Sequence, residues 1–375
     1  MVGIDPGAKK LRVRDLEGGK ETLEPYDRLI IASGAKPRPL DLPGSNLSNI
    51  FRLKFLEEAI RLKKFLDTEK PARAVSIGAG FIALEMAEAF QARGIANTIL
   101  HNDVLPGGRL EPELQELIAR ELQSQGVEFF PRVEARAFRE APRGRAAELL
   151  TGQGVFTGNL FLISTGVVPE VKLAEDAGVT LGPTGAIAVN ERQETNLPGV
   201  FAAGDCCEVR HRISGRPVYL PLGDVANKQG WVAGENAAGG KVTYPGVLGS
   251  AQFKCFDLEI GQTGLGVKEA ESLGFSVFAP VIEDSSRTRI YPGNRPILVK
   301  LIIDRKSHVL LGAQIAGKDG AALRINTLAV AVYKKMTVEE LAELDFAYAP
   351  PFSPAIDPIL VAARAAEKEL AGKKD

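Results

Sequence analysis

The stretch Ala72-Arg-Ala-Val-Ser-Ile-Gly78-Ala-Gly80-Phe-Ile-Ala83-Leu-Glu85-Met-Ala-Glu88 decides the fold. Ala72 to Ile77 has the apolar, β-branched character of a short buried strand. Phe81 to Ala92 is rich in helix formers and stops at Arg93-Gly94. Between them, Gly78-x-Gly80-x-x-Ala83 fits the pattern G-x-G-x-x-G/A. The first glycine permits a tight turn, and the second lets the backbone approach a pyrophosphate. The small third residue lets the helix sit close to the strand, its N-terminus facing the phosphates. Ala96 to His101 supplies the next strand, so the glycines occupy the first turn of a strand-helix-strand unit. Gly78, Ala79, Gly80, Phe81 and Ile82 are therefore candidate nucleotide contacts.

A NAD site places Asp or Glu at the end of the second strand, where its carboxylate holds the ribose hydroxyls. This chain has His101-Asn102-Asp103 there. Either Asp103 takes over the role or His101 lines the ribose, and a surface strand-end histidine is the plain alternative. NAD and NADP both stay open. Glu85, on the helix, reads as a solvated or interdomain ion-pair residue, or as a group orienting the nicotinamide edge.

Outward from this unit, Leu56 to Phe65 has helical spacing, and Pro37 to Pro43 is a proline-rich crossing. Arg28 to Gly34 and Asn159 to Gly166 are buried strands ending at Ser33-Gly34 and Thr165-Gly166. Glu111 to Ser124 is an amphipathic helix, and Ala135 to Phe156 reads as hairpin strands. A second nucleotide signal is Thr195-x-x-Pro-x-Val-Phe-Ala-x-Gly204-Asp205, in which a strand delivers a glycine and a carboxylate able to accept a sugar or ribitol hydroxyl. A helix is expected over 226–238. Past Tyr244-Pro-Gly the pattern becomes alternating strands (250–256, 297–303 and 309–315), then helices at 321–334 and 338–344, which suggests a separate α+β domain.

Composition sets the remaining bounds. At 375 residues, 45% hydrophobic and 25% charged, the chain can bury real cores in two or three domains. A net charge of −1 argues against a general nucleic-acid or anionic-membrane binder. No apolar run approaches the roughly 20 residues that span a bilayer. With three cysteines, Cys206, Cys207 and Cys255, there is no disulfide framework, so a cytoplasmic setting is expected. No metal-ligand pattern is present.

Taken together, the motifs resemble those of the FAD-dependent pyridine nucleotide-disulfide oxidoreductases, in the branch of coenzyme A-disulfide reductase, NADH oxidase and NADH peroxidase. The strings that carry the resemblance are Tyr26-Asp-Arg-Leu-Ile-Ile-Ala-Ser-Gly-Ala-Lys-Pro37, Gly78 to Glu88 and Ser164-Thr-Gly-Val-Val-Pro169. Val200-Phe-Ala-Ala-Gly-Asp205, Pro221-Leu-Gly-Asp-Val-Ala-Asn-Lys-Gln-Gly230 and Asp345-Phe-Ala-Tyr-Ala-Pro-Pro-Phe-Ser353 complete the set in family order.

The resemblance implies an α/β protein with two Rossmann-like nucleotide-binding domains, for FAD and for NAD(P)H, and a C-terminal α+β dimerisation domain. Expected boundaries are 1–69 with 170–246 for the FAD domain, 70–169 for the NAD(P) domain, 247–365 for the interface domain and 366–375 for a tail. The family opens with a further strand-helix-strand unit and a redox cysteine. The FAD domain is therefore expected to lack its N-terminal part here, on the order of 80 residues or more.

None of the three cysteines substitutes for that thiol. Cys206 and Cys207 read as packing residues, because neighbouring cysteines form a disulfide only with severe strain. By resemblance, Gly78, Gly80 and Glu85 contact or orient the nicotinamide nucleotide, Asp205 the flavin ribitol, and Ser33, Gly34, Gly166 and Gly204 the crossings between the nucleotide domains. Asn227 would lie near a disulfide substrate. Tyr291 and Tyr348 would be catalytic phenols contributed by the partner subunit of a homodimer. Ile356 replaces a lysine that contacts coenzyme A in that branch, which weakens coenzyme A disulfide as the substrate.

The implied activity is hydride transfer from NAD(P)H through FAD to a disulfide, oxygen or a similar small acceptor. A dimerising remnant that holds NAD(P)H without productive flavin, or a partner polypeptide supplying the missing part, are the alternatives.

Overall fold

The computed structural model describes residues 1–142 and 144–372. The chain divides into two compact units, Met1–Lys36 with Val167–Val247, and Pro37–Gly166 with Leu248–Asp375.

The first unit holds an exposed antiparallel sheet of Gly3–Asp5, Lys10–Arg14 and Glu21–Pro25. At its centre Leu29–Ile31 pairs in parallel with Val200–Ala202, in the register Leu29 to Val200 and Ile31 to Ala202. Leu29, Ile31, Val200 and Ala202 pack with Ile187, Cys206 and Cys207 on one side. The helix Gly223–Ala237 packs Ala233 against Phe201 and Ala203. This helix starts three residues earlier than its apolar pattern suggests, since the backbone turns in at Leu222 without a side-chain cap.

The second unit is built on a parallel sheet in the order Ile50–Phe51, Leu160–Ile163, Arg73–Ile77, Ala96–Leu100, Glu128–Phe130. Such sheets are covered on both faces. Ile99 meets Leu84, Ala87, Leu114, Ile118 and Leu122 from the helices Phe81–Gln91 and Pro112–Ser124. Val75, Ile77, Leu100, Phe161 and Ile163 face Phe138 and Leu149 of the antiparallel strands Ala135–Ala141 and Arg145–Thr151.

Residues 37–69, expected with the flavin-binding part, lie in this second unit. Ile50 and Phe51 pair with Phe161 and Leu162, and Leu62 of the helix Leu56–Glu69 packs beside Phe51, Ala74 and Phe90. The strand-edge hydrogen bonds and this apolar cluster outweigh the chain connection to residue 36.

The C-terminal part of the same unit is an antiparallel sheet, Ala251–Cys255, Leu258–Gly264, Leu310–Gly317, Pro296–Asp304 and Val277–Phe278, with Val281–Ser285 also on Pro296–Asp304. Phe253, Cys255, Leu258 and Ile260 share one core with Leu114, Ile118 and Leu122. The Phe81 ring stacks on Phe253 with centroids 4.3 Å apart. The Lys300 ammonium lies 3.0 Å from Glu111 and 2.8 Å from Glu113.

The stretch from 366, expected as a tail that is either a charged helix or frayed, begins as helix. Pro358–Ala371 runs through it with Ala366 fully buried, because Asp357 caps the helix on Ile359 N–H and its apolar face docks on the domain. The last three residues of that expectation, 373–375, lie outside the described residues. Among the described residues, no helix is long and apolar enough to cross a membrane.

Candidate functional site

The candidate residues fall into three groups, two of them in the second unit. The first is the turn after Arg73–Ile77. Gly78 has φ +101°, and a Cβ there would sit 2.5 Å from the Ser164 carbonyl oxygen, so only glycine fits. Its N–H donates to the Leu100 carbonyl at 2.8 Å, tying the turn to the neighbouring strand.

Gly80 is extended (φ −83°, ψ −176°) and forms the N-cap of Phe81–Gln91 without any side-chain cap. Nothing lies within 4 Å of where its Cβ would be, and the first helical turn carries no acidic residue. An uncapped helix start with open space before it is what an anion requires. The residues present therefore fit a nicotinamide nucleotide, whose pyrophosphate Gly78 to Ile82 would hold.

Ala79 and Ala83 are buried and give the close strand-helix contact. Ile82 is half-buried and Glu85 exposed on the helix. The Phe81 ring is engaged by Phe253, which leaves its amide as the group it would offer a nucleotide. His101 follows the neighbouring strand, half-buried, with its N–H on the Phe130 carbonyl at 3.0 Å. Gly166 ends the Leu160–Ile163 segment in a left-handed turn, φ +91°, and its carbonyl accepts the Arg38 N–H at 2.9 Å.

The second group lies in the first unit, at two adjacent parallel strand ends. Ser33 and Gly34 follow Leu29–Ile31, and Gly204 and Asp205 follow Val200–Ala202. The Ala203 N–H donates to the Ile31 carbonyl at 3.0 Å, which locks the two ends together. Gly34 (φ +72°) faces open space, and Gly204 (φ +85°) meets only Ala226 at an ordinary 3.6 Å. Ser33 Oγ donates to the Glu170 carbonyl. This bare backbone shelf beside a carboxylate fits the hydroxyl-bearing middle of a flavin nucleotide, with Ser33, Gly34, Gly204 and Asp205 the residues that would hold it.

Gln229 was not singled out by its sequence position, yet it organises this shelf. It is buried, accepts the Gly204 N–H at 3.0 Å and donates to the Glu208 carbonyl at 3.0 Å. Asn227 sits two residues earlier on the same helix, exposed. Below the shelf, Cys206 and Cys207 are buried thiols with their sulfurs 3.6 Å apart. The hydrogen bond from Cys207, helped by Ser33 and Gly34, holds Cys206 down to about 6. Cys207 is pushed well up by the same contact and by burial.

The third group is on the C-terminal domain. Tyr291 and Tyr348 are 37% and 50% exposed, so both phenols reach solvent. Their loops are joined, because the Thr288 N–H donates to the Pro350 carbonyl, and Arg324 donates to the carbonyls of both Ser286 and Phe352.

Residues 1–230 match the family profile described as pyridine nucleotide-disulphide oxidoreductase, and residues 250–359 match its dimerisation domain. Among curated relatives, the NAD(P)H coenzyme A polysulfide/persulfide reductase of Pyrococcus horikoshii is 36% identical over 97% of this chain and 80% of its own length. The NADH oxidase of Methanocaldococcus jannaschii is 32% identical over 100% of this chain and 82% of its own. Among solved structures, reduced CoADR-RHD of Bacillus anthracis superposes with a TM-score of 0.95 at 31% identity, covering 99% of this chain and 66% of that one. The NAD-dependent persulfide reductase of A. fulgidus gives a TM-score of 0.94 at 34% identity, over 99% and 68%.

Proposed function

Because this chain belongs to the pyridine nucleotide-disulphide oxidoreductase family, we propose that it takes a hydride from NAD(P)H and delivers the electrons, through FAD, to a disulfide, persulfide, oxygen or similar small acceptor. The observation that carries this is the open, uncapped helix start at Gly80, held against the sheet by a Gly78 that nothing else can replace.

The work of the chain's own residues follows from their placement. Gly78, Ala79 and Gly80 orient the nicotinamide nucleotide by its pyrophosphate, with the Phe81 and Ile82 amides and the helix dipole favouring the negative charge. Asp205 accepts a flavin hydroxyl, and Ser33, Gly34 and Gly204 keep side chains away from it. Glu85 orients the nicotinamide edge, and Gly166 forms part of the nucleotide-domain crossing. When bound, the flavin supplies hydride acceptance and onward electron transfer, which no protein side chain provides. Tyr291 and Tyr348 hydrogen-bond or donate a proton to a leaving thiolate, and Asn227 lies beside the acceptor.

The assembly is a homodimer. Leu323, Val330 and Tyr333, 73%, 60% and 45% exposed, line one face of Ala321–Tyr333 in the dimerisation domain, a stripe that a second copy would cover. A cytoplasmic setting agrees with three free thiols. The test is single-turnover reduction of the purified protein by NADH, then mixing with oxygen, coenzyme A disulfide or polysulfide. Rapid reoxidation by one of them identifies the acceptor, and no reduction at all overturns the proposal.

A further inference from the structure

Tyr291 and Tyr348 sit on two irregular loops of the C-terminal domain, 286–295 and 345–353. Without strand or helix hydrogen bonds of their own, the carbonyls of such loops need other donors. Thr288 links the loops twice, its N–H to the Pro350 carbonyl at 3.3 Å and its Oγ1 to the Ser353 carbonyl at 3.4 Å. Arg287 grips Asp319 through Nε and Nη2 and reaches the Pro292 carbonyl with Nη1, so it braces the Tyr291 loop alone.

Arg324 braces both. It lies near the start of the helix Ala321–Tyr333, with its side chain largely buried. Nη2 donates to the Ser286 carbonyl at 2.9 Å and to the Phe352 carbonyl at 3.1 Å, so the two loops meet at a single nitrogen. Nη1 donates to the Gly320 carbonyl at 3.1 Å and Nε to Asp357 Oδ2 at 2.9 Å, which holds the guanidinium plane still. Asp357 is itself fixed, Oδ1 on the Ile359 N–H and Oδ2 on the Ser353 hydroxyl, each at 3.0 Å. The pair with Asp357 alone would join helix to helix. The bonds from Nη2 add nothing to that joint and go to the loops.

We infer that Arg324 is a positioning residue for the acceptor half of the reaction, its planar fork fixing the spacing between Tyr291 and Tyr348 through the Ser286 and Phe352 carbonyls. The inference rests on the reading of those tyrosines as groups that serve a leaving thiolate. Two phenols act on one sulfur only when both stand within hydrogen-bond reach of it, and a misplacement of about 1 Å costs up to about a hundredfold in rate. The N–H directions of a guanidinium are set by its plane, whereas a lysine ammonium turns freely on its stem. A lysine at 324 keeps the charge and loses the fork.

The test is fluorine NMR of the purified protein carrying fluorotyrosine, which needs no turnover. Each of the six tyrosines contributes a signal, and Tyr291→Phe and Tyr348→Phe identify two of them. Arg324→Lys is expected to shift or broaden both and to leave the signal of Tyr333, on the same helix, in place. Arg324→Met combined with Asp357→Asn removes the ion pair as a whole, keeps a capping side chain at 357, and is expected to do the same. Asp319→Asn, which loosens Arg287, is expected to move the Tyr291 signal and spare that of Tyr348. In stopped flow, both Arg324 variants are expected to accept electrons from NADH within about twofold of the wild-type rate and to be reoxidised by a disulfide about tenfold more slowly or worse. Thermal melting confirms that each variant is folded.

Folded Arg324 variants whose Tyr291 and Tyr348 signals both stay in place overturn the inference and leave the reading of the tyrosines standing. Reoxidation that is slow in Tyr291→Phe and Tyr348→Phe but unchanged in the Arg324 variants overturns it as well. Phenylalanine variants that reoxidise at the wild-type rate overturn the reading of the tyrosines instead, and moved signals then still support the clamp between the loops.

Discussion

The carbonyl oxygen of Ser164 lies 2.5 Å from where a side chain on Gly78 would begin, so a neighbouring strand fixes the identity of the fingerprint glycine. Gly80, two residues on, has free space before it and an unstrained backbone. The two glycines therefore fail differently. Gly78→Ala is expected to cost about 1–3 kcal/mol from the left-handed backbone, with the contact added on top. Gly80→Val is expected to leave stability within about 1 kcal/mol and to weaken NADH binding about tenfold by occupying the phosphate approach. Urea unfolding and NADH titration of both variants separate these effects.

Lys300 is buried between Glu111 and Glu113 at the junction of the nucleotide-binding sheet and the C-terminal sheet. Removing it leaves Glu111 without its counter-ion. Lys300→Met is expected to lose about 3 kcal/mol in chemical denaturation. Lys254→Met, whose pair with Glu88 is exposed, is expected to lose less than about 1 kcal/mol.

Acid acts on the same junction. Burial pushes the Glu113 carboxyl up, but the hydrogen bond from Lys300, a backbone amide and the ammonium charge together hold it below 4.5. The hydrogen bond from Arg287 chiefly, then that from Ser286, holds Asp319 below 3.8. A carboxylate with a lowered folded pKa contributes stability that is present above its unfolded value and lost as pH falls through the folded one. The melting temperature is therefore expected to hold steady down to about pH 5 and fall below it. Lys300→Met is expected to shallow that fall, measured by thermal melts from pH 7 to pH 3.

The thiols give a further check. Cys206, Cys207 and Cys255 are 0%, 4% and 0% exposed, and burial pushes Cys255 up to about 12. An aromatic disulfide reagent is expected to label none of them in the native protein and all three after denaturation. Fast labelling of Cys206 or Cys207 in the native protein would show that the shelf under Gly204 opens.

Much of this was legible because the deciding features are local. The Gly78 turn, its flanking strand and helix, and the strand ends at Gly34 and Gly204 are written in residues that backbone geometry restricts. The strand Leu258–Gly264 was not legible, since Gly261 and Gly264 read as turn residues. Both are glycine because Ile325 and the Leu311 carbonyl come within 2.7 Å and 2.3 Å of where their side chains would start. The placement of residues 37–69 depended on a two-residue strand pairing with Phe161 and Leu162, a contact across more than a hundred residues. The packing of Phe81 on Phe253 was hidden for the same reason, a partner far along the chain.

The most direct measurement is the visible spectrum of the purified protein before and after anaerobic addition of NADH. The expected result is a flavin absorbance that bleaches as NADH is consumed. A colourless protein that leaves NADH unchanged would contradict the proposed electron transfer.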